Sequence, residues 1–345
     1  MENKLERKVE LDYLKVIGII MIILAHVCNN VIVYKFRNFD VILLIMISGI
    51  LVSNKQFDSK KEVLEYYKKR FFKIIFPTWI FLLILFTGNY FANFWNLGIE
   101  ISVKDIIDSF IFTNDGIRYT WIIRVFTFTA LFTPLLCNMK KKMNYKIYWS
   151  IMLGLYLLYS ILLKLNVFNN IQVINLGFNY IVPYVCIIFS LGLYTSDIKK
   201  NKLLVISLIN IAVYIILEVI LKVNTIEGMK SFKYPPSLYY LTYGIGISLL
   251  LYYFCKYIIN NKLRTSSIIS YISKNSLYLY FIHIPFLQLT SKIEEYSIIR
   301  FFIVLGCSLV TLFVIKNIER IGEKYEVNYS NSLLQRGRKS SKNNK

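Results

Sequence analysis

Asp12-Tyr-Leu-Lys15-Val-Ile-Gly-Ile-Ile-Met-Ile-Ile-Leu-Ala-His26-Val-Cys28 is an apolar run of helical length, broken by very few polar residues. Lys15 and His26 stand eleven positions apart. At ~100° per residue that is roughly three turns, which puts both on one helix face with ~16 Å between them. Asp12, three residues before Lys15, shares the stripe. A titratable group at membrane depth is costly unless it faces a bundle interior or a wet cavity, so each counts as a functional candidate. Read singly, Lys15 also fits a cation snorkelling to the headgroups, and His26 a single interhelical hydrogen bond.

The rest of the chain decides what that helix is embedded in. Its 345 residues are 56% hydrophobic and 16% aromatic, with a mean hydropathy of +0.51. That is too apolar for a soluble globule and marks a polytopic membrane protein. The formal charge of +21 would suggest nucleic acid in a soluble chain. Here the cations lie between apolar spans, so membrane lipids are the expected counter-surface and nucleic acid is not an expected partner. Cys28, Cys137, Cys186, Cys255 and Cys307 are scattered singly, as small core residues are, and two histidines without an acidic cluster give no metal-site pattern. The first apolar run continues to Val33 with no small-residue cleavage site, so no cleavable signal is expected.

Runs long enough to cross ~30 Å of hydrocarbon occur at about 12–33, 38–53, 72–91, 119–138, 147–165, 178–195, 203–222, 237–259, 269–290 and 297–316. The expectation is an all-α, multi-pass bundle of about ten transmembrane helices in the cell membrane. With the N-terminus inside, the inner segments carry 28 Lys and Arg and the outer loops 9, so both termini are expected in the cytoplasm. Residues 1–320 form one membrane domain in this reading. The basic stretch 321–345 cannot bury apolar surface and is expected to be disordered. Ser59-Lys-Lys-Glu62 has capping-box spacing ahead of an interfacial helix that runs into the third span, where Pro77 permits a kink.

Within these spans His26 and His283 fall about equally far from the inner ends of their helices, in the outer half of the membrane. Trp121-Ile-Ile-Arg124 opens the fourth span from outside and sets a guanidinium near the depth of His26; an aromatic-belt Trp with a snorkelling Arg is the alternative. Ser48-Gly49 fits a small-residue packing site. Arg70 and Lys73, one turn apart at the inner surface, suit a phosphate-rich ligand or an anchoring role. Glu218, Ser276, Tyr278 and Tyr280 are weaker candidates.

Taken in order, Leu11-Asp-Tyr with Lys15 and His26, Ile47-Ser-Gly49, Lys68-Lys-Arg70-Phe-Phe-Lys73 with Pro77, Trp121-Ile-Ile-Arg124 with Pro134, Phe189-Ser-Leu-Gly192, Tyr234-Pro-Pro-Ser-Leu-Tyr239 and Ser273-Lys-Asn-Ser-Leu-Tyr-Leu-Tyr-Phe-Ile-His283 resemble the integral-membrane acyltransferase-3 family over about residues 11–316. That family carries an Arg, ten residues and a His on its first helix, and here Lys15 stands in the Arg position. The resemblance implies transfer of an acyl group, commonly acetyl from acetyl-CoA as co-substrate with no bound cofactor, to a hydroxyl of a surface glycan or glycolipid precursor. It assigns catalysis to the positions of Lys15 and His26 and handling of the acyl-CoA donor to those of Arg70 and Lys73. Lys in place of Arg keeps the charge and loses the bidentate fork.

The chemistry fits the residue types. A sugar hydroxyl needs a base, which His26 can supply, and the developing oxyanion needs a fixed donor, for which Arg124 is the nearest candidate by depth and Lys15 the alternative. Trp121, Ser48 and His283 join the expected substrate-binding set. The competing function is glycan export, with Lys15, His26 and Arg124 lining a permeation path; the sequence lacks the paired broken helices of an inverted repeat.

Overall fold

A computed structural model describes residues 8–94, 101–113, 116–165, 177–259, 266–293 and 297–343. The chain order is α1 (Val9–Val27), α2 (Val31–Arg37), α3 (Asp40–Val52), α4 (Lys60–Phe91), α5 (Val103–Phe110), α6 (Trp121–Lys142), α7 (Tyr145–Lys164) and α8 (Gly177–Thr195). It continues with α9 (Lys200–Leu221), α10 (Ile226–Lys233), α11 (Leu238–Ile258), α12 (Ser267–Lys274), α13 (Ser276–Leu289) and α14 (Ser297–Asn343). Among the described residues, seven helices are long and apolar enough to cross a membrane: α4, α6, α7, α8, α9, α11 and α14 as far as Gly322. Three other runs expected as spans are helical but shorter or more charged. α1 has 19 residues and carries Glu10, Asp12 and Lys15, α3 has 13 and α13 has 14.

The centre of the bundle is α3. It is apolar on all sides, and such a helix is stable only when surrounded. It packs on α1, α8 and α11. Close approach to α8 depends on two glycines: a Cβ on Gly49 would run into the carbonyl of Phe189, and one on Gly192 into that of Met46. Ser48 donates to its own helix at the Leu44 carbonyl, 2.9 Å away. The Ser48-Gly49 and Phe189–Gly192 motifs therefore meet as two halves of one packing contact.

Helix ends gather at two faces. On the face where α1 starts, the Asp12 carboxylate accepts from Ser273. There too, the Asn138 side chain pairs with the backbone of Phe57 at 3.0 and 2.7 Å, and Lys140 pairs with Asp197 at 2.6 Å. On the opposite face Lys35 pairs with Glu218, Trp79 Nε1 donates to Phe110 O at 3.0 Å, and Arg300 donates to Leu287 O at 2.9 Å.

The helix expected at the inner surface starts with Ser59 Oγ accepting from the Glu62 N–H at 3.2 Å, but Glu62 closes on Asp58 N–H instead of completing the box. Pro77 has no N–H to offer the Lys73 carbonyl, and the chain answers with a π turn, Phe71–Ile75, in place of a free kink. The stretch 321–345, expected to be disordered, continues α14 as helix to Asn343. Elongating an existing helix avoids the cost of nucleation, and no proline interrupts the stretch.

Candidate active site

α1 ends at Val27, and Asn30 starts the next helix by accepting from the N–H groups of Ile32 and Val33 at 2.9 and 3.3 Å. α2 then folds back towards α1, and α3 begins at Asp40. Its carboxylate accepts from Val41 N–H at 2.7 Å and from Arg37 Nη1 at 2.9 Å. From far along the chain, Lys233 at the end of α10 brings Nζ to 3.6 Å from Asp40 Oδ1 and 3.3 Å from Asn38 Oδ1. Arg37 is 5% exposed, Asp40 1% and Lys233 2%, so this is a buried ion triad. Rings finish the enclosure. Arg37 lies 4.0 Å from the Tyr34 ring centroid, and Lys233 lies within 6 Å of the Tyr240, Trp121 and Tyr234 rings.

The triad borders a cavity of about 1860 Å³ at the face where α1 ends. His26, Arg124, Trp121, Tyr119, Tyr180 and Tyr280 share its wall with Tyr34, Arg37, Asp40, Lys230, Lys233 and Tyr234. The His26 ring stands 5.2 Å from Tyr119 and 5.4 Å from His283, centroid to centroid. Arg124 sits 4.9 Å over the Tyr180 ring.

A second pocket, about 630 Å³, opens at the other face between α4 and the α12–α13 corner. Lys68, Lys69, Lys73 and Lys274 line it with Glu65, Phe72, Pro77, Leu277 and Tyr278. The two pockets lie along the same pair of helices. One turn beyond Pro77 and Leu277, Phe81 and Phe281 stack with centroids 4.6 Å apart, and Phe81 lines the large cavity.

A sequence profile for an acyltransferase domain, that of the acyltransferase-3 family, matches residues 8–316. The chain belongs to the acyltransferase-3 family. Comparison with curated proteins and with solved structures gives no match. As a member of this family with membrane-length apolar helices, the protein is a membrane acyltransferase.

Of the residues expected at the acyltransferase site, His26, His283, Trp121 and Arg124 come together around the large cavity, with His283 fully buried behind His26. Lys15 is half-buried three turns down α1 and lines neither pocket. Ser48 lines neither pocket and donates to the Leu44 carbonyl of its own helix, next to the Gly49 contact. Lys73 lines the basic pocket, but Arg70 does not: its guanidinium lies 5.0 Å over the Tyr66 ring. A wide π turn, Phe71–Ile75, starts between them and changes the register of a regular helix. Glu218, a weaker candidate, is taken up by Lys35 and Tyr239.

Sequence reasoning missed Arg37, Asp40 and Lys233. A signal was present for one pair: Asp40 heads an apolar run with an arginine at i−3, so the rule that singled out His26 applied to it as well. Lys233 gave none, because only folding brings it to the triad from 193 residues away.

Proposed function

We propose that this acyltransferase moves an acetyl group from acetyl-CoA to a hydroxyl of a cell-surface glycan or its lipid-linked precursor. The observation that carries the reading is the position of His26. Its imidazole lies on the wall of a cavity larger than a single small-molecule site of roughly 300–1,000 Å³. A basic pocket opens at the other end of the same two helices. The coenzyme A phosphates bind Lys68, Lys69, Lys73 and Lys274 as charge-assisted contacts, and the pantetheine arm runs along α4 and α13 past Phe81 and Phe281. His26 takes the proton of the acceptor hydroxyl as its oxygen attacks the thioester carbonyl, and Arg124 faces the oxyanion that forms. Collapse of the tetrahedral species expels the coenzyme A thiolate, which is protonated, and leaves the ester on the glycan. Lys15 acts from a distance, holding the lower part of α1 with Asp12.

We infer ten crossings of the plasma membrane with both termini in the cytoplasm. The alternation of helix ends between two faces and the 28 to 9 split of Lys and Arg support this. A cysteine at Lys104 should then react with an impermeant reagent in intact cells and one at Lys61 should not; the reverse pattern sinks the orientation.

Mass analysis of surface glycan with and without the gene tests the function. Loss of an ester mass at unchanged polymer length supports it. Loss of surface polymer with the ester intact inside the cell supports export.

A further inference from the structure

The described charged residues that line the large cavity are Arg37, Arg124, Lys230 and Lys233, with Asp40 the one lining carboxylate among them; Lys230 is half exposed and has Glu227 at 3.6 Å, whereas Arg37 and Lys233 are buried and share Asp40. Three of them run against the chain's own charge bias, since Arg37, Lys230 and Lys233 belong to the 9 cations assigned to the outer loops. Excess positive charge out of water is costly unless an anion joins it. Asp40 answers only part of it, because its two oxygens already serve Arg37, Lys233 and the Val41 N–H. Arg37 Nε is buried with no hydrogen-bond partner, on a side chain that lines the cavity. A guanidinium presents its donors as a planar fork that matches carboxylate and phosphate, so a cavity-lining guanidinium whose donors are not all used favours one of their oxygens. Trp121 and Tyr234, edge to face at 5.2 Å, supply an apolar wall next to Lys233.

We propose that the cavity beside His26 is an anion-selective acceptor site, in which Arg37 and Lys233, with Lys230 at the margin, hold a carboxylate or phosphate on the sugar whose hydroxyl is presented to His26. Asp40 is a positioning residue that keeps the two buried cations in place. The proposal rests on the acyl-transfer reading for what happens next, but the anion site itself does not need it. Coenzyme A is the other anion in the reaction, and its phosphates have the basic pocket on the opposite face.

The test uses purified full-length protein in detergent and three probes: glucuronic acid, glucose 1-phosphate and glucose, each with and without coenzyme A. Binding is read by calorimetry and by the shift in Tm, and release of free coenzyme A from acetyl-CoA is followed in the same preparation. At least one acidic probe should bind and raise Tm while glucose does not, and which of the two binds tells carboxylate from phosphate. Coenzyme A should not displace it. Lys233→Gln should weaken the acidic probe about tenfold or more, the size of a lost charge-assisted hydrogen bond. Lys230→Gln, whose side chain is half exposed and safe for folding, should weaken it about twofold to fivefold. Equal binding of glucose and the acidic sugars, or displacement of the acidic probe by coenzyme A, overturns the site. Acidic-probe binding without any turnover of acetyl-CoA leaves the anion site standing and removes the acyl-transfer reading. Turnover without charge preference does the opposite.

Discussion

The two pockets both carry several cations, yet they are built on different physics. At the basic pocket Lys68, Lys69 and Lys73 are exposed side chains on one helix. At the large cavity Arg37 and Lys233 are removed from water and survive as ions because Asp40 and a ring of aromatic faces replace their hydration. The first arrangement suits a flexible polyanion and would be screened by salt. The second suits a ligand held by geometry and would be screened far less. The same residue types thus make a docking patch in one place and a shaped site in the other.

The largest effect should come from the chemical end of the cavity. His26→Ala is expected to cut kcat about 10²- to 10⁴-fold while the protein stays monodisperse, since loss of a positioned base costs that much and among the described residues the ring makes ring contacts with Tyr119 and His283 but no hydrogen bond. Specific activity per folded molecule in detergent checks it. A variant that still transfers at near wild-type rate would leave the cavity without its reactive group and break the contrast at its root.

Asp40→Asn should come next, and in stability. It leaves Arg37 and Lys233 buried against each other without their counter-charge, for which a loss of about 3–5 kcal/mol is typical. The readout is the midpoint of thermal unfolding. No drop in Tm would mean that the triad is solvated in the membrane and that both pockets follow surface electrostatics.

At the basic pocket the double change Lys73→Gln and Lys274→Gln should raise the KM for acetyl-CoA about tenfold, with kcat nearly held, as expected for contacts made equally in ground and transition states. Arg70→Gln alone should move it far less, because that guanidinium is turned onto Tyr66. An equal effect of Arg70 would return the donor site to the pair expected from spacing. Raising salt should increase the donor KM more steeply than it weakens an acidic acceptor.

The smallest effect separates the pockets by pH. Burial, the largest influence, pushes the Lys233 ammonium down to about 8; Asp40 opposes this and Arg37 adds to it. Lys233 is therefore charged at pH 7 and loses its proton as pH rises past 8, facing Asp40, Asn38, Arg37 and the rings of Trp121, Tyr234 and Tyr240. Affinity for an acidic acceptor should fall a fewfold between pH 7 and 9, more steeply than that for acetyl-CoA, whose contacts are shared among four lysines. A flat acceptor profile would take Lys233 out of the site.

Sequence alone determined the class of this protein. Long apolar runs admit only helices in lipid, because every backbone donor must be satisfied within its own segment, and an ordered set of short motifs is enough to mark a family. It also found the polar residues that stand out locally, His26 within an apolar helix and Arg124 just inside Trp121. Tertiary structure decided which of these meet. His26 and His283 are neighbours, as equal depth allowed, but depth says nothing of azimuth, and Lys15 on the same stripe as His26 ends up away from the cavity. The π turn after Arg70 shifted its register with Lys73, and of the two only Lys73 lines the basic pocket. The Arg37–Asp40–Lys233 triad was beyond the reach of pattern altogether, because a buried ion pair is recognised by what each charge replaces its water with, and for Lys233 that partner lies 193 residues away in the chain.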